Sequence, residues 1–152
     1  KIWDYLFKLK NIDLAPIGLG ARDTLRIEMG YCLYGNEINE ATTPLEAGLS
    51  WIVDLKKDFI GCDALKSKDL TKKIIGFKLE ERGIARNNYD IVNENDEKIG
   101  YVSSGTMSPY LDKSIGLGFI FENSSYNNIF ILIRNRKIKA KFEILPFIKK
   151  DN

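Results

Sequence analysis

Beyond residue 72 the chain is written in a period of two. Ile75, Phe77 and Leu79 alternate with small or charged residues, as do Ile115, Leu117, Phe119 and Phe121. Successive side chains of a β-strand point to opposite faces, so this alternation describes strands with one face in a core. Turn residues interrupt it at Asn93–Asp96 and again at Asn135, where "IFILIRNRKIKAKFEIL" folds back as a hairpin. The polar stretch "SSGTMSP", residues 103–109, is expected to be a turn between strands. About six strands in roughly eighty residues, with no segment of helical period, predict a small antiparallel barrel or sandwich. Its expected inward residues are Ile75, Phe77, Leu117, Phe119, Leu132 and Phe142.

The residues ahead of that boundary follow a different pattern. Ile2, Trp3, Leu6, Phe7 and Leu9 fall on one stripe, the end of an amphipathic helix. "NIDLAPIGLG" breaks it with Pro16 and two glycines. Ala21 to Met29 reads as a short helix in which Ala21, Leu25 and Met29 share a face. Tyr31 to Asn39 is glycine-punctuated and irregular. Thr43, Pro44 and Glu46 occupy the cap, first and third positions of a further helix. A short strand through Trp51 and Val53 should follow, then a turn and a helix in "KKDFIGCDALKSKD", and a polar linker over 67–72. Such a piece buries only a modest share of its own surface and looks like part of a domain. The expected division is therefore an α+β portion over residues 1–68 and an all-β barrel over 73–152.

Composition narrows the chemistry. The chain has 152 residues, 44% of them hydrophobic and 29% charged, which is globular usage. No run of 18 apolar residues is present, the length a membrane-crossing helix needs. The opening "KIWDYLFKLK" lacks an initiator Met and the features of a signal peptide, so a fragment or processed product is expected. Histidine is absent, which removes Ser-His-Asp and Cys-His arrangements and His-ligated metals. Cys32 and Cys62, thirty residues apart, form no metal motif and are expected to be buried free thiols. From Tyr126 onward seven Lys/Arg stand against Glu143 and Asp151, a net +5 in a chain of net +2. Because these charges alternate with Ile138, Ala140 and Phe142, a solvated strand face explains them first. A docking patch for an acidic protein comes second, and neither nucleic acid nor a membrane is an expected partner.

Within this frame "GLGARDTLRIEMGYCLYGNEINEATTPLEAGLSW" resembles the central signature of aminomethyltransferase, the folate-dependent T-protein family of the glycine cleavage system. "DFIGCDALK", "RGIAR" and "IGYVSSGTMSPYLDKSIGLGF" resemble its downstream blocks in order, and "ILPF" its C-terminal end. The resemblance covers essentially the whole chain but only the C-terminal part of a family member. It implies a three-domain folate-binding fold ending in an antiparallel β-barrel of jelly-roll type. The family's catalytic aspartate would lie in the missing N-terminal half, so no catalytic residue is assigned here and the chain alone is expected to be inactive.

The same resemblance implies site residues. Glu28, in the "LRxE" block, is expected to accept hydrogen bonds from the pterin ring, against the plainer reading of a solvated helix charge. Tyr34 either stacks on the folate or plugs the domain core. The family's basic residue for the anionic folate tail falls on Lys56 and Lys57, with Lys57 the candidate. Lysine keeps the charge but loses the planar fork of an arginine. Another family contact, a C-terminal aromatic, falls on the polar "KKDN" and does not transfer. Arg86 reads as an ion pair joining barrel and first domain, and Arg22 with Asp23 as a capping and packing pair.

The implied function is transfer of a one-carbon unit from the aminomethyl-lipoyl carrier protein to tetrahydrofolate, with release of ammonia. Alternatives are a folate-dependent demethylase, the folate domain of a dimethylglycine or sarcosine dehydrogenase, and a non-catalytic folate-binding or carrier-docking module. Expected partners are folate and the lipoylated carrier. The expected compartment is the cytoplasm, or the mitochondrion in a eukaryote.

Overall fold

The computed structural model describes residues 1–149. Six strands, β1 (Lys72–Leu79), β2 (Asp90–Val92), β3 (Lys98–Ser108), β4 (Lys113–Phe121), β5 (Ile129–Ile133) and β6 (Arg136–Glu143), close into an antiparallel barrel. The order around it is β1-β4-β3-β2-β5-β6, with β6 returning to β1. Closure leaves no free sheet edge. The β5–β6 hairpin turns at Arg134 and Asn135, both with positive φ, as a two-residue hairpin loop requires.

Register decides which residues face inward. Phe77 lies opposite Gly116 and Ile75 opposite Gly118 across β1 and β4, and paired residues share a face. The interior of β4 is therefore its glycines and Ile120. A Cβ at Gly116 would meet Phe77 Cζ at 2.4 Å, and one at Gly118 would meet Ile91 Cδ1 at 2.9 Å. The Phe77 ring occupies space that only a glycine on the facing strand leaves open.

Leu117 and Phe119 thus point outward, contrary to expectation, although both are fully buried. Leu117 and Ile115 pack with Ile27 and Phe147 in a second cluster between barrel and helix. Phe119 stacks beside Tyr101 at 5.5 Å with Lys72 Nζ 4.7 Å above its ring. Alternation gave the period correctly, but both faces of β4 are covered, so hydrophobicity alone could not tell inside from outside. Two further inward assignments are corrected. Leu132 lies between the buried Ile131 and Ile133 on the opposite, half-exposed face of β5. Phe142 shares the face of Phe77 but stands at the barrel mouth, 44% exposed, against Tyr126.

The first seventy residues hold three short helices: α1 (Ile2–Leu6), α2 (Leu19–Glu28) and α3 (Cys62–Ser67). α1 is shorter than its stripe suggested and buries no residue. The Thr43–Glu46 capping box forms, each partner bonding the other's backbone N–H, yet only a single turn follows before Gly48 takes φ +73°. Trp51 lies in a 3-10 turn, Ser50–Ile52, and is exposed, where a strand was expected. Ser103 to Ser108 belong to β3 with a bulge at Ser103, so the expected turn over 103–109 shifts to the residues after Ser108. Cys62 is buried, but Cys32 is only half-buried. Burial, helped by the nearby Glu37 charge and opposed by Arg26, pushes the Cys32 thiol up.

Candidate functional site

The site forms where α2 ends against the barrel. α2 starts at Gly18 without a side-chain cap and stops cleanly at Glu28. Gly30, at φ +67°, donates to the Ile27 carbonyl and Tyr31 to that of Arg26, the paired bonds of a Schellman ending. Leu145 packs where a Gly30 Cβ would stand, 3.1 Å from its own Cβ, which draws the C-terminal segment across the helix end. The backbone N–H groups of Phe147 and Ile148 then donate to the Glu28 carbonyl. The buried residues of α2 are Arg26, Ile27 and Glu28, three in a row. Leu25, expected on the apolar face, is 61% exposed.

Consecutive burial requires a partner on each side. Ile27 enters the cluster with Ile115, Leu117 and Phe147. Arg26 turns toward the 31–37 loop: its Nη1 donates to Glu37 Oε2 at 2.7 Å, its Nε to Asp23 at 2.7 Å and its Nη2 to Ser104 Oγ at 2.7 Å. Glu37 is fully buried and completely engaged. Its Oε1 accepts from the Ser103 and Ser104 hydroxyls, both at 2.6 Å, and its Oε2 also accepts from the Leu33 N–H. The β3 bulge lets successive serines reach one carboxylate. A buried charge with every lone pair used is stabilising only as a set, because removing one member strands the others.

Glu28 points the other way. It is 4% exposed, which excludes the solvated-charge reading, and its Oε1 accepts from Ser108 Oγ at 2.5 Å. Among the described residues Oε2 has no partner, and Glu28 lines an open, mostly apolar groove of about 720 Å³ with Ala21, Thr24, Leu25, Pro109 and Tyr110. A carboxylate with one oxygen anchored and one facing an apolar groove is suited to a ligand that donates hydrogen bonds from the edge of a flat, apolar body.

The other expected site residues lie elsewhere. Tyr34 is 71% exposed beside its bridge to Ile38, so it does not plug the core. Lys57 is exposed in a turn and lines a separate hollow with Ile52, Asp54, Asp58 and Phe59. Arg86 forms no ion pair with the first segment among the described residues. It faces a hollow of about 380 Å³ with Arg82, Arg134 and Arg136, none of them ion-paired there. Asp23 pairs with Arg26, and Arg22 is exposed, so the expected Arg22–Asp23 cap is not made. Lys150, Asp151 and the rest of the polar C-terminal end lie outside the described residues. Sequence reasoning missed Arg26, Glu37, Ser104 and Ser108. The available signal was two charges, Arg26 and Glu28, flanking the apolar Ile27 in a short helix.

A short helical part followed by a closed six-strand antiparallel barrel, with a buried carboxylate at the helix end opening onto a groove, sets the class of the fold. Comparison with known proteins makes this particular. Residues 1–57 match the GCVT N-terminal domain, and residues 72–149 match the glycine cleavage T-protein C-terminal barrel domain. The aminomethyltransferase of Flavobacterium psychrophilum is 46% identical over 98% of this chain and 43% of its own length. That of Halothermothrix orenii is 48% identical over 97% of the chain and 43% of its length. The crystal structure of glycine cleavage system aminomethyltransferase T from Bartonella henselae superposes with a TM-score of 0.81 at 31% identity, over 97% of this chain and 43% of that one. The chain belongs to the glycine cleavage T-protein family. It spans less than half the length of the relatives it matches.

Proposed function

We propose that this chain is the folate-contacting C-terminal part of an aminomethyltransferase, which moves a one-carbon unit from an aminomethyl-lipoyl carrier protein to tetrahydrofolate and releases ammonia. Residues 1–68 act as the C-terminal portion of the folate-binding domain and residues 73–152 as the barrel that braces it. The observation that carries the reading is Glu28: a buried carboxylate, fixed at Oε1, whose Oε2 has no partner among the described residues and opens on an apolar groove. The groove's volume, its apolar walls and a single charged acceptor fit the pterin end of a folate, a flat ring edged with N–H donors.

Bound there, tetrahydrofolate supplies the nitrogen nucleophiles that accept the one-carbon unit. This chain's residues bind and orient. Glu28 accepts from the ring edge, and the Arg26–Glu37–Ser104 set holds α2 at fixed height on β3. Leu25 and Tyr110 supply apolar wall to the groove. Tyr34 and Lys57 stand outside this groove, and both are exposed; they would meet the ligand only where it extends beyond the groove, Tyr34 by stacking and Lys57 at the anionic tail. Arg82, Arg86, Arg134 and Arg136, without ion pairs among the described residues, offer positive charge to an acidic carrier, and the two in the β5–β6 hairpin would make it more than a solvated face. The reaction would run in the cytoplasm of a bacterium or the mitochondrion of a eukaryote.

The test is an assay of the longest natural protein that contains this chain, given aminomethylated lipoyl carrier and tetrahydrofolate. Coupled formation of ammonia and methylenetetrahydrofolate is expected, and the 152-residue chain alone should stay at background. Demethylation of a methylamine substrate, with no transfer from the carrier, would move the protein to a related folate enzyme.

A further inference from the structure

We propose that Ser108, at the end of β3, is the positioning residue of the Glu28 site: the barrel, not the helix, aims the carboxylate that receives the ligand. The inference rests on the folate reading above and adds a residue to it. Ser108 is fully buried, and its hydroxyl is bonded on both sides. The Leu111 backbone N–H donates to Ser108 Oγ at 3.1 Å, and Ser108 Oγ donates to Glu28 Oε1 at 2.5 Å. An ionised carboxylate only accepts, so the single hydroxyl proton has one destination. The incoming N–H from Leu111 holds the oxygen that sends it there.

A glutamate has three rotatable bonds, and its backbone on α2 cannot choose among the orientations they allow. Anchoring Oε1 to a strand end does so and leaves Oε2 to the groove. The same turn continues through Pro109 and Tyr110, which line that groove with Glu28, so anchor and wall belong to one piece of backbone. A ligand bearing two donors meets Oε2 and the remaining lone pair of Oε1 in an orientation set before it arrives. Preorganised acceptors of this kind gain affinity by sparing the ligand the cost of ordering them.

The test compares Ser108→Ala and Ser108→Thr with the unaltered protein, in the longest natural protein containing this chain. Two probes are titrated by calorimetry: tetrahydrofolate, and p-aminobenzoyl-glutamate, the same molecule without its pterin. Ser108→Ala should weaken tetrahydrofolate by on the order of tenfold, equivalent to about 1.4 kcal/mol. It should leave p-aminobenzoyl-glutamate unchanged, and Ser108→Thr, which keeps the hydroxyl, should stay close to the unaltered protein. Equal weakening of both probes by Ser108→Ala, alongside a lowered melting temperature, would make Ser108 merely structural and overturn the proposal. Equal tetrahydrofolate constants for all three proteins would overturn it while leaving the folate reading intact. Failure of the unaltered protein to bind tetrahydrofolate would overturn that reading and the positioning role with it.

Discussion

Glu46 sets how tightly the helical segment is tied to the barrel, and its substitution gives a measurable answer. Glu46 is 1% exposed, and its carboxylate spans two elements. Its Oε2 accepts from the Thr43 N–H and hydroxyl, both at 2.9 Å, and its Oε1 accepts from the Thr71 N–H at 3.2 Å and hydroxyl at 2.8 Å. Ile74 N–H bonds the Glu46 carbonyl as well, so residue 46 holds the 43–49 turn to the start of β1. Burial alone pushes the Glu46 carboxyl up; the donors of Thr43 and Thr71 outweigh it and bring its pKa down from 4.5 to about 2.

A carboxyl depressed in the folded state stabilises the fold above its unfolded pKa and loses that contribution as pH falls through the folded value. Here the window runs from about pH 4.5 down to about 2. At about 1.4 kcal/mol per tenfold, the contribution at neutral pH is about 3 kcal/mol. Glu46→Gln keeps one carbonyl acceptor and turns an amide donor toward the donors of Thr43 or Thr71. The assay is urea unfolding of both proteins between pH 7 and pH 2.5, read as the difference between them so that other carboxylates cancel. The gap should be about 3 kcal/mol at pH 7 and should narrow steadily below pH 4.5. A gap below about 0.5 kcal/mol at pH 7, or one that does not change with pH, would refute the reasoning.

Two further outcomes follow from the packing. Gly116→Ala places a methyl 2.4 Å from Phe77 Cζ and 2.8 Å from the Ser104 carbonyl oxygen, and the second contact is backbone that no rotamer change relieves. Chemical denaturation should show a loss of about 1–3 kcal/mol or more, and an unchanged midpoint would place Phe77 outside the barrel interior. Arg26→Ala strands the buried Glu37 charge and should cost about 3–5 kcal/mol, whereas Arg26→Ala with Glu37→Ala should cost clearly less than the two singles added. Strict additivity in that cycle would deny the coupling.

Much of the barrel is legible because period and turn chemistry agree: alternation marks the strands and Asn135 the hairpin turn, where Arg134 takes a positive φ beside it. The face of β4 was not legible. "SIGLGFIF" puts large residues on the side covered by α2 and the C-terminal segment, and glycines on the side filled by Phe77 from β1. That choice depends on a partner about forty residues away, and no local pattern carries it. The Thr43–Glu46 capping box was read correctly as chemistry but not as length, since Gly48 ends the turn it opens. At the site, Glu28 came from the resemblance, but Ser108 and the Arg26–Glu37 pair lie across long loops from their partners and became visible only when β3 met α2.

The central claim is that Glu28 receives the pterin, and calorimetric titration of tetrahydrofolate into the longest natural protein containing this chain, with and without Glu28→Gln, tests it most directly. Glutamine retains a carbonyl oxygen for Ser108 and presents an amide donor at Oε2, against donors on the ring edge. The mismatch should weaken tetrahydrofolate roughly 10- to 100-fold, or about 1.4–3 kcal/mol, with little change in melting temperature. Equal dissociation constants for the two proteins would contradict the account.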